Sequence, residues 1–350
     1  MKVLLLYPGF PDTFWSFRHA LPFLGKRSAY PPLGLLTVSA MLPPHWERRL
    51  VDLNVEKLRD RDLAWADVAF LSAMLIQGPA LQQLIDRCRL AGLRTVVGGP
   101  VTGADYPACE AADHIVRGEA EGVIGELARD LEAGRARRRY EAAGWADMSK
   151  VPPPDLHLAR LRRYSSMPVQ YSRGCPFSCE FCDIIELFGR VPRTKTPEQI
   201  LAELDRLYDM GWRGSVFVVD DNFVGNKKAL KALLPRLAEW MRDHRNPFSL
   251  FTQASVNMAD DEELLSLMRA ARFNRVFVGI ETPVKESHRA AGKMQNVNVD
   301  LLASCAASRN TGWRSWEGSS WDSTRIRPTS SRNRSRSSRK RPSRSRWSAS

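Results

Sequence analysis

Long apolar runs are missing from this 350-residue sequence. Nothing in it approaches the roughly 18 unbroken apolar residues that a membrane-spanning helix needs. The first apolar run, KVLLLY, gives way at once to PGFPD, too early for the core and cleavage site of a secretory leader. Cysteine is scarce, six in all, and three of the six fall between positions 175 and 182. That is not the spread framework of a disulfide-stapled secreted domain. The expectation is a cytoplasmic protein with reduced thiols, in which clustered cysteines mean metal or catalysis. Charge of one sign is also scarce over most of the chain. The formal net charge is +13, yet residues 301–350 carry +10 of it and the first 300 residues only +3. The body therefore lacks the basic face that grips a phosphate backbone, and no nucleic-acid partner is expected for it.

At 100 to 200 residues per domain, the length suggests about two domains. Residues 1–135 alternate strand-like apolar runs (KVLLLY, RRLVDL, DVAFLSAMLI, RTVVGG, HIVRGE) with helical stretches such as PALQQLIDRCRLAG. Near-continuous apolar strands are covered on both faces, so the fold class expected is α/β, with an open parallel, flavodoxin-like sheet first. Residues 136–167 lose periodicity and hold three consecutive prolines, Pro152 to Pro154, and read as a linker. From residue 168 to 312 the β/α rhythm resumes with SVFVVDD, FSLFTQAS and RVFVGIE as strands, which suggests part of a β/α barrel. Between strands, TPEQILAELDRLYDMG predicts a helix with Thr196 as N-cap, Pro197 at N1 and Gln199 closing a capping box. Ile200, Leu201, Leu204, Leu207 and Tyr208 form its apolar stripe, and Pro235 predicts a kink in a later helix.

The stretch YSRGCPFSCEFCDII puts Cys175, Cys179 and Cys182 at CxxxCxxC spacing directly after a strand. A structural zinc site takes four ligands, usually as two separated pairs. An iron–sulfur cluster also usually takes four cysteines; three would leave one iron open to a ligand. Cys88, Cys109 and Cys305 are distant in sequence and read as small buried residues.

CxxxCxxC with Phe181 before its last cysteine resembles the signature of the radical SAM superfamily, and RGCPFSCEFCDI and VDDNF are the most specific parts of that likeness. The resemblance implies that Cys175, Cys179 and Cys182 hold a 4Fe-4S cluster whose open iron binds S-adenosylmethionine. It implies cofactor contacts from Phe181, from Asp220, Asp221 and Asn222 at the second barrel strand end, from Gln253 and Ser255 at the third, and from Glu281 at the fourth. It further implies a small-molecule substrate and a reductant such as flavodoxin or ferredoxin.

An open α/β domain ahead of such a barrel resembles the cobalamin-binding branch of that superfamily, which includes relatives of the hopanoid C-2 methylases. The segment PGFPDTFWSFRHALPFLGKRSAYPPLGLLTVSAMLP carries this likeness. It implies cobalamin at the strand ends near Ser72, Gly98 and Gly99. No DxHxxG occurs, so any lower axial histidine is missing; His19, His45 and His114 read as surface or packing residues. Methyl transfer to an unactivated carbon of a lipid-like or other small molecule is the activity implied, with peripheral membrane contact if the substrate is a lipid. Radical chemistry without methyl transfer is the alternative enzyme, and a metal-containing nucleic-acid-binding protein the alternative outside enzymes.

Residues 313–350 form a Ser/Arg-rich tail without periodicity and with little to bury. One permitted codon choice for Trp313 to Arg332, read two bases later, yields a further β/α unit. The tail is therefore expected to be out of frame and disordered, and the barrel incomplete.

Overall fold

The computed structural model describes residues 1–13, 16–17, 19–103, 106–300 and 314–318. Contacts divide it into two units. The first comprises Met1–Arg173, Glu186–Gly189 and Arg193–Val219; the second comprises Gly174–Ile185, Arg190–Pro192 and the described residues from Asp220 on.

The first unit is built on six parallel strands: β1 (Lys2–Tyr7), β2 (Glu47–Asp52), β3 (Val68–Ser72), β4 (Arg94–Gly98), β5 (His114–Arg117) and β6 (Arg139–Glu141). Their order is β2-β1-β3-β4-β5-β6, the flavodoxin-like 2-1-3-4-5 arrangement with a sixth strand added. Helices α1 (Leu33–Met41), α2 (Asp60–Trp65), α3 (Gly78–Leu90) and α4 (Ile124–Glu132) connect them. The pleat explains why KVLLLY is apolar throughout. Val3 and Leu5 join a core with Leu35 of α1 and Leu127 and Leu131 of α4, while Leu4 and Leu6 join another with Leu81, Leu84, Ile85 and Cys88 of α3. Successive side chains point to opposite faces, and both faces are covered. On α3 the buried positions fall at i, i+3, i+4 and i+7, the stripe of a helix lying on a sheet.

β6 falls in the stretch read as linker. It is three residues long with only Tyr140 buried among flanking arginines, so its sequence carries no strand signal; the sheet edge supplies the pairing. β7 (Ser166–Val169) also starts inside that stretch and pairs in parallel with β10 (Ser215–Val218). The two-residue strands β8 (Ser172–Arg173) and β9 (Arg193–Thr194) pair antiparallel at the stem of the cysteine loop, which includes the short helix α5 (Ile184–Phe188). Helix α6 (Pro197–Asp209) has the predicted capping box between Thr196 and Gln199. Its buried face is Ile200, Glu203, Leu204 and Leu207. Glu203 is buried there because Lys195, itself 4% exposed, pairs with it.

In the second unit, helices α7 (Lys227–Asp243), α8 (Glu262–Ala270) and α9 (Lys285–Ala290) alternate with the parallel strands β11 (Ser249–Ala254), β12 (Phe273–Gly279) and β13 (Arg314–Gly318). Pro235 lies inside α7, which continues past it. β13 falls at the start of the stretch read as a tail without periodicity: its backbone pairs with β12 from Arg275↔Arg314 to Gly279↔Gly318. Ladder bonds come from the backbone, so a strand can form without the alternation that a sequence scan seeks. The rest of the tail, residues 319–350, and Cys305 lie outside the described residues. Among the described residues no helix is long and apolar enough to cross a membrane.

Candidate functional site

The three cysteines lie on Gly174–Ile185, in the second unit. Cys175, Cys179 and Cys182 are partly exposed free thiols, and Cys182 N donates to Cys179 O at 3.1 Å, closing a turn between the last two. Burial pushes the Cys175 thiol up; the Phe177 amide and Asn222 oppose this, while Cys179 and Asp221 add to it. Burial raises Cys182 too, with Cys175 and Cys179 reinforcing the shift. The three sulfurs thus share one electrostatic neighbourhood. Among the described residues, no three His, Cys, Asp or Glu side chains stand close enough to clasp a single ion. A cluster is held by thiolates on different irons, which need not converge on one point.

Two side-chain amides point at this sulfur set. Asn222, 3% exposed, donates from Nδ2 to Cys175 Sγ at 3.8 Å. Its Oδ1 accepts from Ser255 N at 3.1 Å and Ser255 Oγ at 3.2 Å. The Ser255 backbone N–H fixes which end of the amide is oxygen, so the donating end must face the thiol. Gln295 Nε2 lies 3.5 Å from Cys179 Sγ. Gln295 carried no signal in the sequence, because its partner lies 116 residues away.

The other barrel residues are brought to strand ends in different states. Asp220 is fully buried and Asp221 half-buried. Gln253 is exposed at the end of β11, and its carbonyl accepts from Phe223 N at 3.0 Å. Ser255 Oγ also lies 2.5 Å from Asn257 Oδ1, so its one hydroxyl hydrogen is shared between the Asn222 and Asn257 oxygens. Phe181 is half exposed, with Lys293 Nζ 5.5 Å from its ring centroid. Glu281 sits just beyond β12 at φ 61°, a left-handed conformation costly for a residue with a Cβ. Its Oε1 accepts from Lys293 Nζ at 2.9 Å, which ties the carboxylate down. Lys293 is also absent from the sequence-derived residues; the polar run GKMQN after a short helix has no periodicity to flag it.

In the first unit, the strand order reverses between β1 and β3, the switch point where open α/β sheets bind ligands at carboxyl strand ends. Ser72 ends β3 opposite Gly98 of β4. Gly99 follows at φ 87°, and a Cβ there would sit 2.5 Å from Ser72 Oγ. Glycine is required at this point on both counts. Thr102 Oγ1 lies 2.9 Å from Gly99 O and 3.0 Å from Val116 O, its one hydroxyl hydrogen shared between the two carbonyls at the turn. Gln77, fully buried, donates to Pro8 O at 2.6 Å and accepts from Met74 N at 2.8 Å. Around this edge Phe10, Met74, Leu75 and Ile76 are 40–53% exposed. Bare glycine backbone beside an apolar shelf suits a large flat ligand with an apolar body, the shape of a corrin. Among the histidines, His45 pairs with Glu132 at 2.7 Å and His114 Nδ1 lies 2.7 Å from Arg137 O.

Comparison with known proteins gives a consistent picture. Residues 169–317 match the profile of the radical SAM superfamily. The chain is 43% identical over 320 residues to an uncharacterized methyltransferase of Synechocystis sp., covering 91% of this chain and 60% of that protein. It is 40% identical over 309 residues to the hopanoid C-2 methylase of Rhodopseudomonas palustris, covering 86% and 58%. The chain therefore spans about 60% of the length of these curated relatives. Among solved structures, the radical S-adenosylmethionine methyltransferase TsrM from Kitasatospora setae matches with TM-score 0.77 at 16% identity, over 97% of this chain and 71% of that one. The cobalamin-dependent S-adenosylmethionine radical enzyme OxsB matches with TM-score 0.69 at 16% identity, over 91% and 49%. At such identities the likeness is one of fold.

Proposed function

Since the chain belongs to the radical SAM superfamily through residues 169–317, we propose that it is an enzyme using a 4Fe-4S cluster, S-adenosylmethionine and cobalamin to methylate an unactivated carbon of a lipid-like small molecule. The observation that carries this reading is the cysteine loop: three thiols at CxxxCxxC spacing, with amide donors already aimed at two of their sulfurs. Cys175, Cys179 and Cys182 would hold the cluster, and the Ser72–Gly99 edge would hold the corrin. When bound, these groups supply an electron to split the sulfonium bond and a cobalt centre to carry a methyl group. The protein's own part is placement. Asn222, locked by Ser255, holds a donor at Cys175 Sγ. The Lys293 ammonium holds Glu281 in its left-handed conformation at the end of β12. Gly99 keeps side-chain atoms off the sheet edge. The lipid-like substrate is supported by the hopanoid C-2 methylase at 40% identity.

Anaerobic reconstitution of the full chain with iron and sulfide tests this. About four irons per chain, absorbance near ~400 nm and release of 5′-deoxyadenosine from S-adenosylmethionine are expected, together with a corrin spectrum that survives desalting. No bound iron, or iron retained unchanged when Cys175, Cys179 and Cys182 are all replaced by serine, overturns it.

A further inference from the structure

The turn Ala291–Asn296 lies in none of the motifs, yet it meets the cysteine loop repeatedly within the second unit. Ala291 O accepts from Glu180 N at 2.9 Å. Gly292, at φ 64°, approaches so closely that a Cβ there would sit 2.7 Å from Ser178 O. Lys293 lies over Phe181 and pairs with Glu281. Asn296, 1% exposed, donates from Nδ2 to Gly279 O at 3.1 Å and Ile280 O at 3.3 Å. Gln295 is therefore held between two anchored neighbours, with Nε2 3.5 Å from Cys179 Sγ. Its Oε1 is buried with no hydrogen-bond partner. Satisfying that oxygen has been given up to point the N–H at sulfur. Turned over, the amide would set a carbonyl oxygen against a negatively charged thiolate, which accepts hydrogen bonds and donates none.

We propose that Gln295 is a positioning residue that acts through Cys179 to set the electron affinity of the cluster. This rests on the cluster reading above and deepens it. Reduction adds a negative charge to an iron–sulfur cluster. An N–H dipole aimed at a ligand sulfur favours the more negative state, so each such donor raises the reduction potential. Asn222 does the same for Cys175 from a longer 3.8 Å, which makes Gln295 the stronger lever.

The test is the midpoint potential of the reconstituted full chain, followed by electron paramagnetic resonance in a redox titration, for wild type, Gln295→Leu and Gln295→Met. Both substitutions keep bulk and remove the donor. The expected result is iron content equal to wild type with a midpoint shifted to more negative values in each variant; if only one variant retains its cluster, that variant's midpoint decides. A midpoint unchanged from wild type overturns the proposal while leaving the proposed function intact. Loss of the cluster from both variants also overturns it, assigning Gln295 to loop integrity. A wild-type chain that takes up no cluster overturns the underlying reading and this inference with it.

Discussion

Replacing Glu119 by glutamine probes a buried charge network in the first unit that joins one carboxylate to two arginines. The Glu119 side chain is 2% exposed and accepts from Arg173 Nη1 at 2.9 Å, Arg193 Nη1 at 2.8 Å, Arg193 Nη2 at 3.1 Å and Ala146 N at 2.5 Å. Burial opposes ionisation of its carboxyl, but the bonds from Arg193, Arg173 and the Ala146 amide outweigh it and hold the group below the usual glutamate range. Glu119→Gln removes the charge and turns an NH2 toward guanidinium donors. Breaking a buried pair costs about 3–5 kcal/mol. Arg173 keeps Glu121 at 2.8 Å, and Arg193 keeps the carbonyls of Ala146 at 2.6 Å and Phe188 at 2.9 Å. Arg173 thus keeps a carboxylate and Arg193 keeps two carbonyl acceptors, so no guanidinium loses every partner, which puts the expected loss at the lower end, about 3 kcal/mol. With a urea slope of about 3 kcal/mol/M, the unfolding midpoint falls by about 1 M. The assay is urea unfolding at pH 7 followed by tryptophan fluorescence and far-UV circular dichroism, whose coincidence licenses a single free energy. Because the folded-state value is depressed, the carboxylate's contribution is fully present above the unfolded value of about 4.3 and is lost as pH falls through the folded value. The gap between wild type and variant should therefore begin to narrow as pH falls below about 4.3 and go on narrowing as the buried carboxyl protonates. A loss under about 1 kcal/mol at pH 7, or a gap that does not narrow as pH falls below about 4.3, refutes the reasoning.

Gly99→Ala forces a Cβ to within 2.5 Å of Ser72 Oγ at φ 87° and should cost about 1–3 kcal/mol, read as a lower thermal midpoint, with loss of corrin retention after desalting. Lys195→Met leaves the 1%-exposed Glu203 side chain buried without its cation and should cost about 3–5 kcal/mol, whereas Lys195→Met with Glu203→Leu should be neutral or stabilising; a double-mutant cycle in urea checks both. Burial already raises the Glu203 carboxyl against the pull of Lys195, so the destabilisation by Lys195→Met should lessen as pH falls and the acid protonates. Thr196→Ala removes the N-cap acceptor of α6, 3.3 Å from Gln199 N, and should lower stability by about 1 kcal/mol in the same unfolding assay.

Local rules made much of the fold legible. Near-continuous burial along KVLLLY between two covered faces, the helix over PALQQLIDRCRL and the capping box of α6 are set by residues within one strand or helix, and each appears as the sequence implied. The CxxxCxxC spacing marked the candidate site because its three thiols lie within one loop. β6 and β13 were illegible for the opposite reason: a strand of three residues, or one paired through its backbone, needs no side-chain pattern of its own.

The sequence by itself determined the parallel α/β class, the three thiols and the glycine pair at the sheet edge, since these depend on neighbours a few positions apart. Only the tertiary structure decided which groups serve those thiols and that stem. Gln295 reaches Cys179 across 116 residues, Asn222 reaches Cys175 across 47, and Arg193 reaches Glu119 across 74. Hydrogen bonds act over about 3 Å, so partners this far apart in the chain become partners only when strands and loops from separate stretches are folded together.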